Sequence, residues 1–269
     1  MDKGYTKEEI KKQRKERIGE EKLNKQGCLM RIVEYNNAAD IVVEFQDEYK
    51  GRVKTTYNNF NNITVKNPYY PSVFGVGKVG DKYRAKINDK NTKEYNAWNH
   101  ILERCFDEKY RTRKPTYKNV SCCNEWLLYE NFYEWLHSQE NFEKWHDGEL
   151  WAVDKDTLFK GNKVYSPETC CLVPPNVNSL FIKSNAIRGN LPIGVSKLGS
   201  YFKASCNNPF INKQEKIGSY LTPEEAFYLG YKPYKESIIK QVAEIEYNKG
   251  NITKQCYEAM MNYEVEITD

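Results

Sequence analysis

The sequence predicts an α+β protein assembled from small modules, and three observations predict it. Hydrophobic residues make up 39% of the 269 and charged residues 29%, a balance too polar for one large core and suited to several small ones. Short β-rich runs, split by Asn and Gly, fill residues 27–65 and recur after Asn190. Amphipathic helical stretches separate and follow them. Five segments result. Residues 1–26 form a charged N-terminal helix or arm and 27–68 a small β-barrel module. Residues 69–185 form a central ββα unit with flanking helices. Residues 186–248 give a three-stranded sheet plus helix, and 249–269 a C-terminal helix or tail.

The arm reads TKEEIKKQRKERIGEE, with a capping box from Thr6 to Glu9. It is either a solvated helix or a basic arm touching phosphates through Lys11, Lys12, Arg14, Lys15 and Arg17. Next come CLMRIVEY, DIVVEF and YKGRVKTTY, punctuated by Asn36-Asn37 and Asp47. Strands this short with tight turns predict an SH3-like barrel or a curled sheet. Asn67-Pro68 and Pro71 mark an extended linker, and a hairpin is expected around Gly80-Asp81. No GK[ST] follows Gly75, Gly77 and Gly80, which excludes a phosphate loop. From Thr92 to Phe106, Tyr95, Trp98, Ile101, Leu102 and Cys105 share one helical face. Asn124 to Leu136 continues the helical character with Trp126, Leu127, Phe132 and Trp135.

Trp151 to Asn178 is the organising stretch. It reads as a strand to Asp156, a turn-rich excursion from Lys160 to Glu168, a strand from Thr169 to Val173, and a proline-started helix carrying Asn176 and Asn178. Beyond it, three short strands turn at Gly199 and at Asn207-Asn208-Pro209. Thr222, Pro223 and Glu225 supply the cap, first position and capping box of a helix. A final helix spans Tyr234 to Tyr247, with a short one after Gly250-Asn251.

No apolar run reaches membrane-spanning length, and the charged N-terminus lacks an apolar signal core, so a cytoplasmic protein (host cell cytosol) without a membrane partner is expected. There the eight cysteines are free thiols or metal ligands rather than disulfides. A net charge of +4 permits a nucleic-acid partner without requiring one.

Two parts of the chain resemble known families. Arg104-Cys105, then Cys123-Asn124-Glu125-Trp126, then Asp154-Lys155-Asp156, then Tyr165-Ser166-Pro167-Glu168-Thr169-Cys170, then Asn178 follow the order of the HNH-type (ββα) homing-endonuclease modules of phages. Gly194-Val195, Tyr201-Phe202-Lys203-Ala204, Ile217-Gly218-Ser219-Tyr220 and the helix opening at Thr222 resemble the AP2 domain. The resemblance implies DNA binding, with the three-stranded sheet laid in the major groove.

A ββα nuclease needs a divalent metal and a base to activate water. The base is ordinarily a histidine, yet His100, His137 and His146 all lie outside the ββα stretch, and Lys155 follows Asp154. The mid-loop asparagine of the pattern is Thr169 here. The candidate catalytic set is therefore Asp154, Lys155, Asp156 and Asn178. Asp154 and Asp156, at i and i+2 on a strand, would hold Mg²⁺ or Mn²⁺ with Asn178. The competing reading is that both aspartates cap the loop. Cys105, Cys122, Cys123 and Cys170 are candidates for a structural Zn²⁺ site, against buried thiols. Cys28, Cys171, Cys206 and Cys256 read as structural. The candidate DNA face carries Arg188, Lys197, Tyr201, Lys203 and Lys213, with Asn207, Asn208 and Asn212 as substitutes for base-reading arginines.

Two functions stay open. One is a phage or prophage DNA-binding protein of HNH/AP2 endonuclease type that nicks or cleaves double-stranded DNA with a metal. The other is a catalytically inactive relative that binds DNA or a host-defence protein as an inhibitor or regulator.

Overall fold

A computed structural model describes residues 16–181 and 190–269, together with Glu8 and Lys12. The chain is α+β and divides into two compact units, Met1–Glu134 and Trp135–Asp269.

In the first unit, β1 (Glu21–Leu23), β2 (Leu29–Asn37), β3 (Asp40–Phe45) and β4 (Arg52–Thr55) form an antiparallel meander in sequence order. Alternation builds its core: Met30, Ile32 and Tyr35 on β2 and Ile41, Val43 and Phe45 on β3 are buried with Phe60 and Val65. Each such side chain contributes about 1.5–3 kcal/mol by leaving water. No β1–β4 pairing occurs, so the sheet stays open where the sequence predicted a barrel. A three-residue β1 offers too little edge to close one. This strand also lies inside the expected 1–26 arm. Arg17 ion-pairs with Glu20 at 3.3 Å and stacks 4.5 Å over the Tyr57 ring. Lys12 is exposed, while Thr6, Glu9, Lys11, Arg14 and Lys15 lie outside the described residues.

The expected hairpin at Gly80-Asp81 stands elsewhere. β5 (Lys86–Ile87) and β6 (Lys90–Asn91) pair across Asn88-Asp89, both in the left-handed region at φ 49° and 61°. Gly80 instead makes room for a neighbour, because a Cβ there would collide with the Glu130 carboxyl group. Glu130, buried, accepts the Asp81 and Lys82 amides at 2.8 and 2.7 Å. Helix α1 (Lys93–Phe106) starts at the Thr92 cap and buries Trp98, Ile101, Leu102 and Cys105. Trp98 Nε1 donates to the Trp126 carbonyl at 2.6 Å. A two-residue strand, β7 (Ser121–Cys122), follows. The second helical stretch is broken: a 3₁₀ turn (Glu125–Leu127) precedes α2 (Tyr129–His137), with Leu128 extended between them.

In the second unit, β8 (Ala152–Asp154) pairs antiparallel with β10 (Cys171–Val173), in the register Asp154↔Cys171, and α3 (Pro175–Leu180) follows. The excursion between those two strands carries the short β9 (Val164–Tyr165). A three-stranded antiparallel sheet comes next: β11 (Val195–Leu198), β12 (Tyr201–Asn208) and β13 (Lys213–Tyr220). The Thr222 capping box is present, with Pro223 in the first turn. From Pro223 the chain stays helical to Asn248, through a π-helical segment (Ala226–Tyr231) into α4 (Lys232–Asn248). The sequence predicted two helices parted near Pro233. Widening the turns before it to the π form relieves the clash of the proline ring with the carbonyl four residues back. Gly230 lies against the sheet, where a Cβ would meet Ala204 Cβ at 2.7 Å. The last helix, α5 (Lys254–Met261), buries Cys256 and Met260 in the same core as Val173, Val177, Ala204, Phe227 and Val242.

Candidate nucleic-acid interface

The Asp154 region is a closed loop. Asp154 ends β8, and its Oδ2 accepts the amides of Asp156 and Thr157 at 3.0 and 2.7 Å and the Thr157 hydroxyl at 2.6 Å. Asp156 therefore lies beyond the strand, and the shared strand face expected for the two carboxylates does not form. Lys155 is 5% exposed. Its Nζ donates to Asp156 Oδ2 at 2.6 Å and to the Asn162 carbonyl at 3.0 Å, 5.8 Å from the Tyr165 ring centre. Asn162 returns a hydrogen bond to the Lys155 carbonyl at 2.9 Å. The Thr169 hydroxyl donates to the Val164 carbonyl at 2.7 Å and so closes the far side. Asn178 sits in α3, whose start is fixed by Pro174 and Pro175. The donor set fits a hydrogen-bonded loop: both carboxylates and the lysine serve the turn.

The cysteines are all free thiols. Cys105, Cys122 and Cys123 belong to the first unit and Cys170 to the second. Among the described residues, no group of three or more His, Cys, Asp and Glu is arranged to hold a metal. Burial pushes the Cys170 thiol up to about 12, keeping it protonated at neutral pH. Cys171, likewise buried, is pushed up by its contact with the Cys256 thiol and by burial.

The sheet sorts its lysines by register. Ala204 and Cys206 on β12 are buried in the core, so Tyr201, Lys203, Ser205 and Asn207 take the opposite face. Lys203 pairs across with Ser196 on β11 and Ser219 on β13, and Tyr201 with Leu198. A bulge between Ala204 and Ser205 brings Lys216 opposite Ser205 and Gln214 opposite Asn207. Lys216 and Gln214 thus join the outer face, a placement that strand alternation without the bulge does not reveal. Lys197 stands opposite Phe202, and Lys213 opposite Asn208, both on the helix-facing side. Five residues were expected on one face. The register keeps Tyr201 and Lys203 there, moves Lys197 and Lys213 off it, and Arg188 lies outside the described residues. Asn208 is engaged too, donating to Glu215 at 2.7 Å. Tyr234 also donates to Glu215, and these bonds, led by Tyr234, hold its carboxyl below the usual range.

The outer face therefore consists of Ser196, Leu198, Tyr201, Lys203, Ser205, Asn207, Gln214, Lys216 and Ser219. It carries two lysines, two carboxamides, hydroxyls and no carboxylate, because Glu215, the acid of these strands, is turned inward. No helix of the described residues is long and apolar enough to cross a membrane. No family model, curated protein or solved structure matches this chain.

Proposed function

We propose that the chain binds double-stranded DNA through the outer face of β11–β13, as a non-cleaving relative of the HNH/AP2 type. The observation that carries the reading is the sorting of charge across this sheet: Lys203 and Lys216 face out and Glu215 faces in. A surface of this kind attracts phosphates without repelling them, and releases counterions on binding. Tyr201, half exposed, adds an aromatic ring with a hydroxyl donor beside Lys203. The non-cleaving half rests on the Asp154 loop. A lysine amine already bonded to Asp156 and Asn162 is no general base, and Asp154 spends Oδ2 on three hydrogen bonds.

The test is a gel shift on a short duplex across a salt series. Wild type should show a steep salt dependence. Lys203→Met/Lys216→Met should flatten the slope of log K against log salt by about 2, roughly one per lysine. Lys197→Met, on the other face, should leave it nearly unchanged. Supercoiled plasmid with Mg²⁺ or Mn²⁺ should stay intact, and nicking that Asp154→Ala abolishes would restore the nuclease reading. Absence of duplex retention at low salt would sink the DNA reading and turn attention to a protein partner.

A further inference from the structure

β11 pairs with β12 only through Ala204, with one more bond from the Ser205 amide to the Gly194 carbonyl at 2.8 Å. Beside the edge of β12 beyond that point, a cavity of about 460 Å³ opens within the second unit. That is the size of a small-ligand site. Lys235, from the first turns of α4, lines it. Burial holds this amine below its ordinary value; the nearby Cys206 thiol is itself pushed up by burial and is uncharged at neutral pH. Among the described residues no carboxylate pairs with Lys235. Asp269 also lines the cavity but is tied to Lys160 at 2.8 Å.

A desolvated lysine without a counter-charge is costly, and one that lines a cavity marks a candidate site for an anion. The other walls fit an anion with a body. Lys203 brings a second amine, and Ser205 and Gln214 bring a hydroxyl and a carboxamide. Tyr231 and Tyr263 bring rings, which suit the flat or apolar remainder of an organic molecule. Two amines with further neutral donors exceed what one carboxylate can use, and match the three terminal oxygens of a phosphate monoester.

We propose that this cavity binds a small organic phosphate of mononucleotide size, with the phosphate on Lys235 and the body against Tyr231 and Tyr263. The cavity shares Lys203, Ser205 and Gln214 with the outer face of the sheet, whereas Lys235 comes from the helix behind it and is the group that tells monophosphate binding from duplex binding.

The experiment is calorimetric titration of the full chain with thymidine 5′-monophosphate, thymidine and inorganic phosphate. The monophosphate should bind at least tenfold tighter than thymidine, and inorganic phosphate should compete with it. Lys235→Met should lose at least tenfold for both phosphates with an unchanged circular dichroism spectrum, and Lys235→Arg should recover part of the loss. Lys216→Met, outside the cavity, should bind the monophosphate as wild type does. Three results would overturn the proposal: no saturable binding of either phosphate, equal losses in Lys216→Met and Lys235→Met, or binding of thymidine as tight as of its phosphate. A duplex gel shift separates the sources. Lys235→Met should retain duplex with the wild-type salt slope, and parallel loss of duplex and monophosphate would assign Lys235 to the DNA surface instead.

Discussion

Glu246 is a carboxylate kept inside the second unit, 2% exposed. Burial pushes its pKa up, but hydrogen bonds from Asn251 at 2.6 Å, Lys249 at 3.0 Å and Asn176 outweigh it, and the net value falls below 4.5. A depressed folded pKa contributes stability that is present above the unfolded value and lost as pH falls through the folded one. Glu246→Gln should therefore cost about 1–3 kcal/mol at neutral pH by urea unfolding, with the gap to wild type closing on acidification below the ordinary range. Lys235 has the opposite sign. Its folded value lies below 10.5, so the fold opposes the charged form, fully below the folded pKa and progressively less as pH rises through it. Lys235→Met should raise Tm of the ligand-free protein at neutral pH by a few degrees, at about 2–4 °C per kcal/mol. A fall in Tm would mean the amine is a structural asset. Residue types alone put Lys155 at the place of the histidine base in the expected HNH-like reading. They did not show that its amine is buried, because that depends on Asn162 and Asp156 folding back over it.

Two elements differ from sequence expectation for reasons of packing. Gly80 looked like a turn residue, and what it supplies is room for Glu130. Glu130→Ala should cost about 1–3 kcal/mol, because the Asp81 and Lys82 amides lose their acceptor. Amide exchange at those two residues would report it. Proline near position 233 announced a break, yet the π segment carries the helix through. Gly230 there has its Cα against Ala204 and Tyr220, so Gly230→Val should destabilise the sheet–helix contact by about 1–3 kcal/mol in chemical denaturation. Strand alternation was legible in Met30, Ile32, Ile41 and Val43, where one face is plainly apolar. The face assignment of Lys197 and Lys213 was not, since it depends on cross-strand register and on a bulge that leave no mark in composition.

For the whole chain, the α+β class followed from local patterns, whereas the sharing of cores did not. Val173 and Val177, from the expected central unit (69–185), are buried with Ala204 and Phe227 from the expected sheet-plus-helix unit (186–248) and with Ile252, Cys256 and Met260 from the expected tail (249–269). Asn141 makes the same join with polar atoms, donating to the carbonyls of Leu172 at 3.0 Å and Asn251 at 2.8 Å. Deleting residues 249–269 should abolish cooperative unfolding of the second unit, seen as loss of near-ultraviolet dichroism from its aromatic residues. A native-like spectrum would show that the last helix is dispensable.

That helix also sets a clock. The apolar faces of β10 and α3 leave the ribosome long before Ile252, Cys256 and Met260 exist to cover them. Roughly 80 residues separate α3 from Met260, and adding them at about 5–20 per second leaves this core incomplete for several seconds. An incomplete core of this kind should call on chaperones, and slowing translation after residue 180 should raise the insoluble fraction rather than the yield.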